Sequence, residues 1–152
     1  MHTMFVIGLV VLLALFQTAP REIDDAAAAR ANAVALHIVA SGFQHASGHA
    51  IARLYRQGDN VTHAPWRQER ADIHGQKAAF VFGELAFGDY AVVVVHDVND
   101  NGEVDHNFIG FPVEPLGFSN GFKLGLFSGR PTFEKLRFSF SSKATTIDIP
   151  VN

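Results

Sequence analysis

Apolar and polar residues alternate along most of this chain, and the alternation starts at Val34. From there apolar side chains recur at every second position, which is the pattern of a strand with one buried face. Tyr90–Val95 is different because it is almost entirely valine. A continuous apolar run of this length predicts a central strand that is buried on both faces. Segments with one or other of these patterns are, in chain order, 34–38, 48–55, 78–82, 90–95, 136–141 and 145–151.

These segments predict six or seven short strands, with no long helix and no internal repeat. The expected fold is all-β, an antiparallel β-sandwich of immunoglobulin or transthyretin (prealbumin)-like type. Two stretches do not fit the alternation. Residues 56–75 are polar, and we expect a long connection with a short helix or an irregular strand. Residues 108–130 interleave phenylalanine with glycine, and we expect an ordered excursion whose aromatic rings pack back onto the sheets.

The N-terminal residues differ in character from the rest of the chain. Phe5–Phe16 is an uninterrupted apolar run, which suits the core of a signal peptide and is short for a membrane span of about 20 residues. We therefore expect a signal peptide at 1–19, or else a retained N-terminal anchor. An Ala-rich linker follows at 20–32, and a single β-sandwich domain occupies 33–152. This organisation predicts an exported protein, either periplasmic or secreted.

Charge and cysteine content narrow the classes of partner and chemistry. The net charge is −3 and the lysines and arginines are scattered, so the chain lacks the clustered basic surface that nucleic-acid binding needs. No membrane contact is expected beyond an uncleaved leader. The chain has no cysteine, which excludes disulfides, thiolate metal sites and a cysteine nucleophile. The expected partner is an unknown component of the cell envelope.

The most concentrated polar feature is the segment 97–105. Asp97, Asn99 and Asn101 occupy positions 1, 3 and 5 of a calcium-loop pattern, Gly102 occupies position 6, and Asp105 occupies position 9. Glu103, at position 7, would contribute its backbone carbonyl. Calcium is a hard cation that takes six to eight oxygen ligands. The spacing therefore predicts a structural calcium site formed by Asp97, Asn99, Asn101, Glu103 and Asp105.

This segment departs from the helix-flanked calcium loop in two ways. Position 12 is Phe108 instead of a bidentate glutamate, and the preceding element is a strand. Another oxygen would have to complete the site, and Glu114, Asn107 and Asp100 are the candidates. With few carboxylates we expect weak affinity, on the order of 10⁻⁴–10⁻³ M. The alternative is a metal-free turn, since Asn and Asp accept left-handed backbone and hydrogen-bond to their own main chain.

Other residues suggest further chemistry. His96 and His106 flank the loop, and a His/Asp cluster would suit zinc in a metal-dependent hydrolase. Ser119 lies in a Gly-x-Ser-x-Gly sequence, but the strand-to-helix context of a nucleophile elbow is missing. We therefore expect a non-catalytic protein. The second function class is an envelope glycan- or peptide-binding module without metal, in which Trp66 or Phe122 would offer an aromatic surface.

Several segments in order resemble a family of small exported bacterial proteins known as a domain of unknown function. They are Gly88–Val92, His96–Asp105, Gly110–Glu114, Gly117–Asn120 and Pro131–Phe133. The similarity covers roughly residues 33–151. The resemblance implies a signal peptide and a β-sandwich, but no established activity. In transthyretin-like sandwiches a tyrosine placed as Tyr90 is here can hydrogen-bond back to the chain at a corner, so this residue is expected to be structural.

Overall fold

The computed structural model describes residues 34–125 and 127–152. The predicted leader (1–19) and linker (20–32) lie outside the described residues. Within them the chain forms strands, one four-residue helix and a short 3-10 turn at Ser119–Gly121. The strands are β1 (Val34–Ser41), β2 (His49–Arg56), β3 (Arg67–Ala71), β4 (Lys77–Leu85), β5 (Gly88–Asp97), β6 (Leu116–Phe118), β7 (Phe138–Phe140) and β8 (Thr146–Pro150); the helix is α1 (Phe133–Leu136). The prediction of an all-β protein is confirmed.

The strands form two sheets. The smaller sheet has the order β4-β1-β8, and the larger has the order β3-β2-β5-β6, with β7 also paired to β5. Most pairs are antiparallel, but β8 runs parallel to β1. The prediction of an antiparallel sandwich is therefore wrong for this pair. The two strands stand at opposite ends of the domain sequence, so no hairpin requires them to be antiparallel.

The two sheets share one apolar core. Alternate residues of β1 and β4, such as Leu36 and Phe82, face alternate residues of β2 and β5, such as Leu54 and Val92, and all four are completely buried. This is the face that the period-two pattern predicts. Burying such a side chain stabilises the fold by about 1.5–3 kcal/mol relative to leaving it exposed.

A second apolar cluster covers the outer face of the larger sheet. The other alternate residues of β2 and β5, including Ile51, Tyr55 and Val93, pack against Phe118, Phe133 and Leu136 from the C-terminal part of the chain. Every residue of β5 from Tyr90 to Asp97 is consequently buried. The prediction of a central strand with two buried faces is confirmed.

The excursion at 108–130 behaves as expected at only two of its five phenylalanines. Phe118 and Phe122 pack edge-to-face, with ring centroids 5.3 Å apart, and join the second cluster. By contrast Phe108 and Phe127 are almost fully exposed, at 98% and 100%, and Phe111 is 38% exposed. The prediction that the aromatics pack back onto the sheets is wrong for these three.

The polar connection at 56–75 contains a strand, β3, which pairs with β2 from Ala50↔Ala71 to Leu54↔Arg67. Its sequence, Arg-Gln-Glu-Arg-Ala, has no apolar alternation. Such a strand is stable at the edge of a sheet, where charged side chains stay in water and discourage pairing with other chains.

Candidate functional site

The Asp/Asn loop, residues 97–105, begins where β5 ends. Asp97 is completely buried, and its carboxylate accepts two hydrogen bonds from the main chain of the loop. Oδ1 accepts from the N–H of Asn101 at 3.1 Å, and Oδ2 accepts from the N–H of Gly102 at 2.8 Å. A buried carboxylate needs such partners, because an ion without them is costly to remove from water. Asp97 therefore fixes the path of the loop.

The amide side chains of the loop converge on Asp105. Asn99 donates from Nδ2 to Oδ2 of Asp105 at 2.6 Å, and Asn101 donates from Nδ2 to Oδ1 at 3.1 Å. The carbonyl oxygens of the same amides accept main-chain N–H groups, Asn99 from Asn101 and Asn101 from Glu103. The structure thus brings together the side chains at predicted ligand positions 3, 5 and 9.

Glu114 joins the loop from the far end of the following segment. It is 8% exposed. Its Oε1 accepts the N–H of Val98 at 3.1 Å, and its Oε2 accepts the N–H of Asp105 at 3.3 Å. One carboxylate therefore ties the beginning of the loop to its end. Of the three supplementary residues considered from the sequence, Glu114 is the one that lies against the loop in this way.

The other two supplementary residues point elsewhere. Asn107 accepts from the N–H groups of Ile109 and Phe111 and so stabilises the next turn. Asp100, at φ +67°, turns outward, where Oδ1 lies 2.6 Å from both His49 Nδ1 and Arg70 Nη2. Burial raises the pKa of Asp100, but the hydrogen bonds from His49 and Arg70 outweigh burial and hold that pKa below its usual range. Asp100 is thus already paired with the guanidinium of Arg70 and the ring of His49.

The loop carboxylates are not supplied in this way. Within the described residues, Asp97, Asp105 and Glu114 have no Lys, Arg or His nitrogen within 4.0 Å. In the same part of the chain, no three His, Cys, Asp or Glu side chains come together as a metal-binding group. A cation at this loop would therefore need amide or main-chain oxygens in addition to carboxylates.

Glu103 lies apart from these carboxylates. Its N–H donates to Asn101 Oδ1 at 2.8 Å, while its side chain is exposed and lines a neighbouring cleft. Any contribution to a metal would have to come from its backbone carbonyl, as the sequence reasoning assumed.

The two flanking histidines do not form one site. His96 is fully buried on the face of β5 that looks toward the other sheet, with Nε2 2.9 Å from the carbonyl of Ser47 and its ring edge-on to Phe43. His106 is exposed and lines the cleft on the opposite face. The geometry therefore gives no support to a zinc centre that combines the two histidines, which was the basis for the hydrolase alternative.

The aromatic residues predicted as a binding surface have other contacts. Trp66 is 38% exposed, stacks on Tyr90 with ring centroids 6.3 Å apart, and carries the guanidinium of Arg56 4.5 Å from its ring centroid. Phe122 is half-buried against Phe118. Neither ring lines the cleft.

Ser119 and Tyr90 both make structural contacts. Ser119 is buried, donates to the carbonyl of Leu136 at 2.6 Å and accepts the N–H of Val92 at 2.9 Å. It joins β5 to the end of α1. The hydroxyl of Tyr90 donates to the carbonyl of Ala86 at 2.9 Å, which is the corner contact that the sequence predicted.

A cleft of about 760 Å³ lies on the outer face of the larger sheet, next to the Asp/Asn loop. Glu103, Val104 and His106 form one wall, and Arg53 of β2 lies on the floor. Arg53 Nη2 donates to the carbonyl of Gly102 at 3.0 Å. Sequence reasoning did not single out Arg53, because a lone arginine within an alternating strand looks like an ordinary solvent-facing residue.

The chain matches a family described as an uncharacterised protein conserved in bacteria (DUF2141), over residues 38–148. The chain belongs to the DUF2141 family. The match spans the two sheets, the Asp/Asn loop and the cleft, and it confirms the resemblance to a bacterial domain of unknown function. Neither the curated proteins nor the solved structures gave a match.

The description of DUF2141 names no activity, so the family places the chain without assigning it a function. Among residues 34–125 and 127–152, no helix is long and apolar enough to cross a membrane.

Proposed function

We propose that this DUF2141 protein is an exported, non-catalytic β-sandwich module in which the Asp/Asn loop binds a structural calcium ion. The two packed sheets with a shared core support a sandwich of immunoglobulin or transthyretin-like type. The proposed ligands are Asp97, Asn99, Asn101 and Asp105, with the backbone carbonyl of Glu103 and with Glu114 as supplementary ligand. The ion would order the segment that runs from the end of β5 to the start of β6.

The observation that carries the proposal is the double contact at Asp105. Its two carboxylate oxygens each face an amide nitrogen, that of Asn99 at 2.6 Å and that of Asn101 at 3.1 Å. An asparagine amide presents a nitrogen on one side and an oxygen on the other, and a half-turn exchanges them. After that rotation two amide oxygens would face the same carboxylate, and a cation between them would replace the two N–H donors as the positive partner. The rotation would also remove the amide acceptors of the Asn101 and Glu103 N–H groups, of which the first keeps its bond to Asp97 and the second would then bond to water.

Charge supports the same proposal. Asp97 and Glu114 are buried, Asp105 is half-buried, and within the described residues none of the three forms an ion pair. Main-chain N–H groups compensate them only in part, since a hydrogen bond supplies a partial charge. A divalent cation would supply the missing positive charge, and oxygen ligands favour calcium over a transition metal.

Export rests on the sequence of the leader. A weak calcium site, with a dissociation constant on the order of 10⁻⁴–10⁻³ M, is useful only where calcium is plentiful, as it is for extracellular modules. A domain without disulfides gains from a ligand that binds only its folded state. The leader and the loop are thus consistent with each other.

Thermal unfolding with calcium and with chelator tests the proposal. At a free calcium concentration tenfold above Kd, mass action adds about 1.4 kcal/mol to the free energy of unfolding. That corresponds to a rise in Tm of about 4–6 °C for a domain of this size. Asp105→Asn should abolish the rise.

Asp100→Asn is the matched control, because Asp100 is in the same loop but faces Arg70 and His49. This variant should keep the calcium-dependent rise. Identical melting curves for the unaltered protein in calcium and in chelator would contradict the proposal, as would an equal loss of the rise in both variants.

The second candidate function is an envelope glycan- or peptide-binding module that needs no metal. The cleft beside the loop favours it, since its volume of about 760 Å³ lies within the usual range for ligand pockets, about 300–1,000 Å³. A glycan and peptide array, probed with the protein in chelator, should give specific hits if this function is correct. Hits that appear only with calcium would favour the first proposal.

A further inference from the structure

Arg53 is placed unusually for a charged residue. It lies in the middle of β2, and its side chain points to the outer face of the larger sheet, among the residues that line the cleft. Nη2 donates to the carbonyl of Gly102, which is neutral. Within the described residues Nε is buried with no hydrogen-bond acceptor, and no carboxylate lies within 4.0 Å of the guanidinium. Because Nε is closed to solvent, an anion in the cleft would pair with the remaining N–H groups of Nη1 and Nη2. A guanidinium without a carboxylate partner is an anchor for an anion, because it binds a carboxylate through two parallel hydrogen bonds.

Beside the hydroxyl-bearing residues Tyr55 and Thr62, one part of the cleft floor is apolar. It is a continuation of the second apolar cluster, formed by Val61, Val93, Phe118, Leu116 and Leu124. Polar groups of a ligand that lay against this part of the floor would lose hydrogen bonds to water and gain none. An alkyl chain would instead gain by burial, by about 0.8 kcal/mol for each CH₂ group.

The mouth of the cleft is also lined by both apolar and charged side chains. Ile109 and Phe111 border it and are 70% and 38% exposed, so apolar surface continues out to solvent. Arg130 and His106 also border it, against one acidic side chain, Glu103. The guanidinium groups of Arg53 and Arg130 with the one carboxylate of Glu103 favour an anion of single charge over a dianion, since Glu103 offsets part of the positive charge.

We infer that this cleft binds a small amphipathic carboxylate, with the carboxylate on Arg53 and the alkyl chain along Val93 and Phe118. The inference goes beyond the proposed calcium function and does not depend on it. The loop contributes a wall of the cleft through Glu103 and Val104, but the anchor belongs to β2, and the apolar floor is formed by β5, β6 and the connections that hold Val61 and Leu124.

Isothermal titration calorimetry of the full chain with soluble fatty carboxylates tests the inference. Octanoate should bind saturably, and affinity should rise from butyrate to octanoate by up to about fourfold for each added CH₂ group. Octan-1-ol, which has the tail without the charge, should bind roughly 10- to 100-fold more weakly because it cannot pair with the guanidinium. Acetate, which has the charge without the tail, should show no saturable binding.

Two variants of Arg53 separate recognition from folding. Arg53→Met keeps the length of the side chain and should weaken octanoate binding roughly 10- to 100-fold. Arg53→Lys keeps the charge but loses the planar pair of donors. Its affinity for octanoate should lie between those of the unaltered protein and of Arg53→Met. Arg56→Met is the matched control on the same strand, because Arg56 stacks on Trp66 and does not line the cleft; it should bind octanoate as the unaltered protein does.

Several results would overturn the inference. They are the absence of saturable octanoate binding, equal affinity for octanol and octanoate, and equal losses in Arg53→Met and Arg56→Met. Binding to zwitterionic lipid vesicles without binding of soluble octanoate would assign the apolar mouth to a membrane surface and would also overturn it. The titration is run in chelator, so that octanoate binding there supports the cleft whatever the outcome for calcium.

Discussion

Arg53 donates a hydrogen bond of 3.0 Å to the backbone carbonyl of Gly102, and so joins the middle of β2 to the tip of the Asp/Asn loop. The two residues are 49 positions apart in the sequence. Gly102 also donates its N–H to Asp97, so the same residue is held from both sides. The loop is therefore attached to the outer face of the larger sheet, where it borders the cleft.

Removal of this contact should loosen the tip of the loop. In Arg53→Met the carbonyl of Gly102 loses its partner, at a cost of about 1 kcal/mol for one hydrogen bond. Amide hydrogen exchange measured in chelator should then be about fivefold faster at Gly102 and Glu103, which corresponds to that free energy. Arg56→Met should leave exchange at both amides unchanged. Unaltered exchange in Arg53→Met would show that the loop holds its shape without β2.

Gly48 should be a sensitive position, because it packs against the start of the loop. It has φ +69°, and an added Cβ would collide with the carbonyl oxygen of Asp97 and lie 2.8 Å from the Cα and the carbonyl oxygen of Val98. Gly48→Ala combines this clash with left-handed strain. Gly58→Ala is the matched control, since Gly58 has φ +92° but nothing within 4 Å of the added atom.

Strain of this kind costs on the order of 1–3 kcal/mol, so Gly58→Ala should lower the free energy of unfolding by that amount. Gly48→Ala should lower it by at least 1 kcal/mol more, because overpacking adds about 1–3 kcal/mol. Urea titrations of both variants give the comparison. Equal losses would mean that the main chain near Val98 moves aside without cost.

Ser119 should contribute to stability through the contacts that hold the C-terminal segment on the sheet. Ser119→Ala leaves the carbonyl of Leu136 and the N–H of Val92 without their hydroxyl partner in a buried place. Each unsatisfied buried group costs about 1–3 kcal/mol. We expect urea unfolding to show a loss in that range, whereas Ser142→Ala, in an exposed turn, should lie within about 0.5 kcal/mol of the unaltered protein. A neutral Ser119→Ala would contradict the structural role.

Asp89 should make stability depend on pH in acid. The hydroxyl of Ser139 and the guanidinium of Arg137 hydrogen-bond to its carboxylate and hold the pKa of Asp89 below its usual value of 3.8. Because the folded pKa lies below the unfolded one, the contribution is fully present above the unfolded pKa, about 3.9. It is lost as pH falls through the folded pKa.

Urea midpoints compared between about pH 6 and about pH 3 test this sign, since the unfolded pKa of about 3.9 lies between them. The unaltered protein should lose more stability over that range than Asp89→Asn, which has no carboxylate to protonate. A larger loss in the variant would contradict the assignment.

The strands of the shared core were predictable from the sequence, because burial of one face requires an apolar residue at every second position. Leu36, Ile38 and Ala40 recur at every second position and are all buried. The valine run of β5 was likewise predictable, since both faces of that strand are covered. In these strands the local pattern and the tertiary environment agree, which is the condition for reading structure from sequence.

Other elements have no such periodic pattern of apolar residues. β3 is a charged edge strand whose pairing with β2 is made by main-chain atoms, which no side-chain pattern records. The phenylalanines of the excursion looked alike in sequence, yet Phe118 is buried while Phe108 and Phe127 are exposed. Which of them is buried depends on where β6 and α1 pack against β5, and that position is determined by the whole fold.

At the candidate site, the sequence grouped Asn99, Asn101 and Asp105 by their spacing, and in the structure both amides donate to Asp105. Proximity within one short loop is a local property and is therefore predictable, whereas the role of these residues as ligands stays a prediction. The contact of Glu114 with Val98 and Asp105 bridges 9 to 16 positions and was foreseen only as one of three choices. Arg53 was missed altogether, since its relation to Gly102 depends on sheet register and on the return of the loop across β2.

Calcium binding to the Asp/Asn loop is most directly tested by nuclear magnetic resonance titration of the amide signals of Asn101 and Gly102, whose N–H groups donate to Asp97. We expect saturable shifts at these two amides, with a dissociation constant on the order of 10⁻⁴–10⁻³ M, and we expect the shifts to be lost in Asp105→Asn but kept in Asp100→Asn. Signals that do not move at millimolar calcium, or that move equally in both variants, would contradict it.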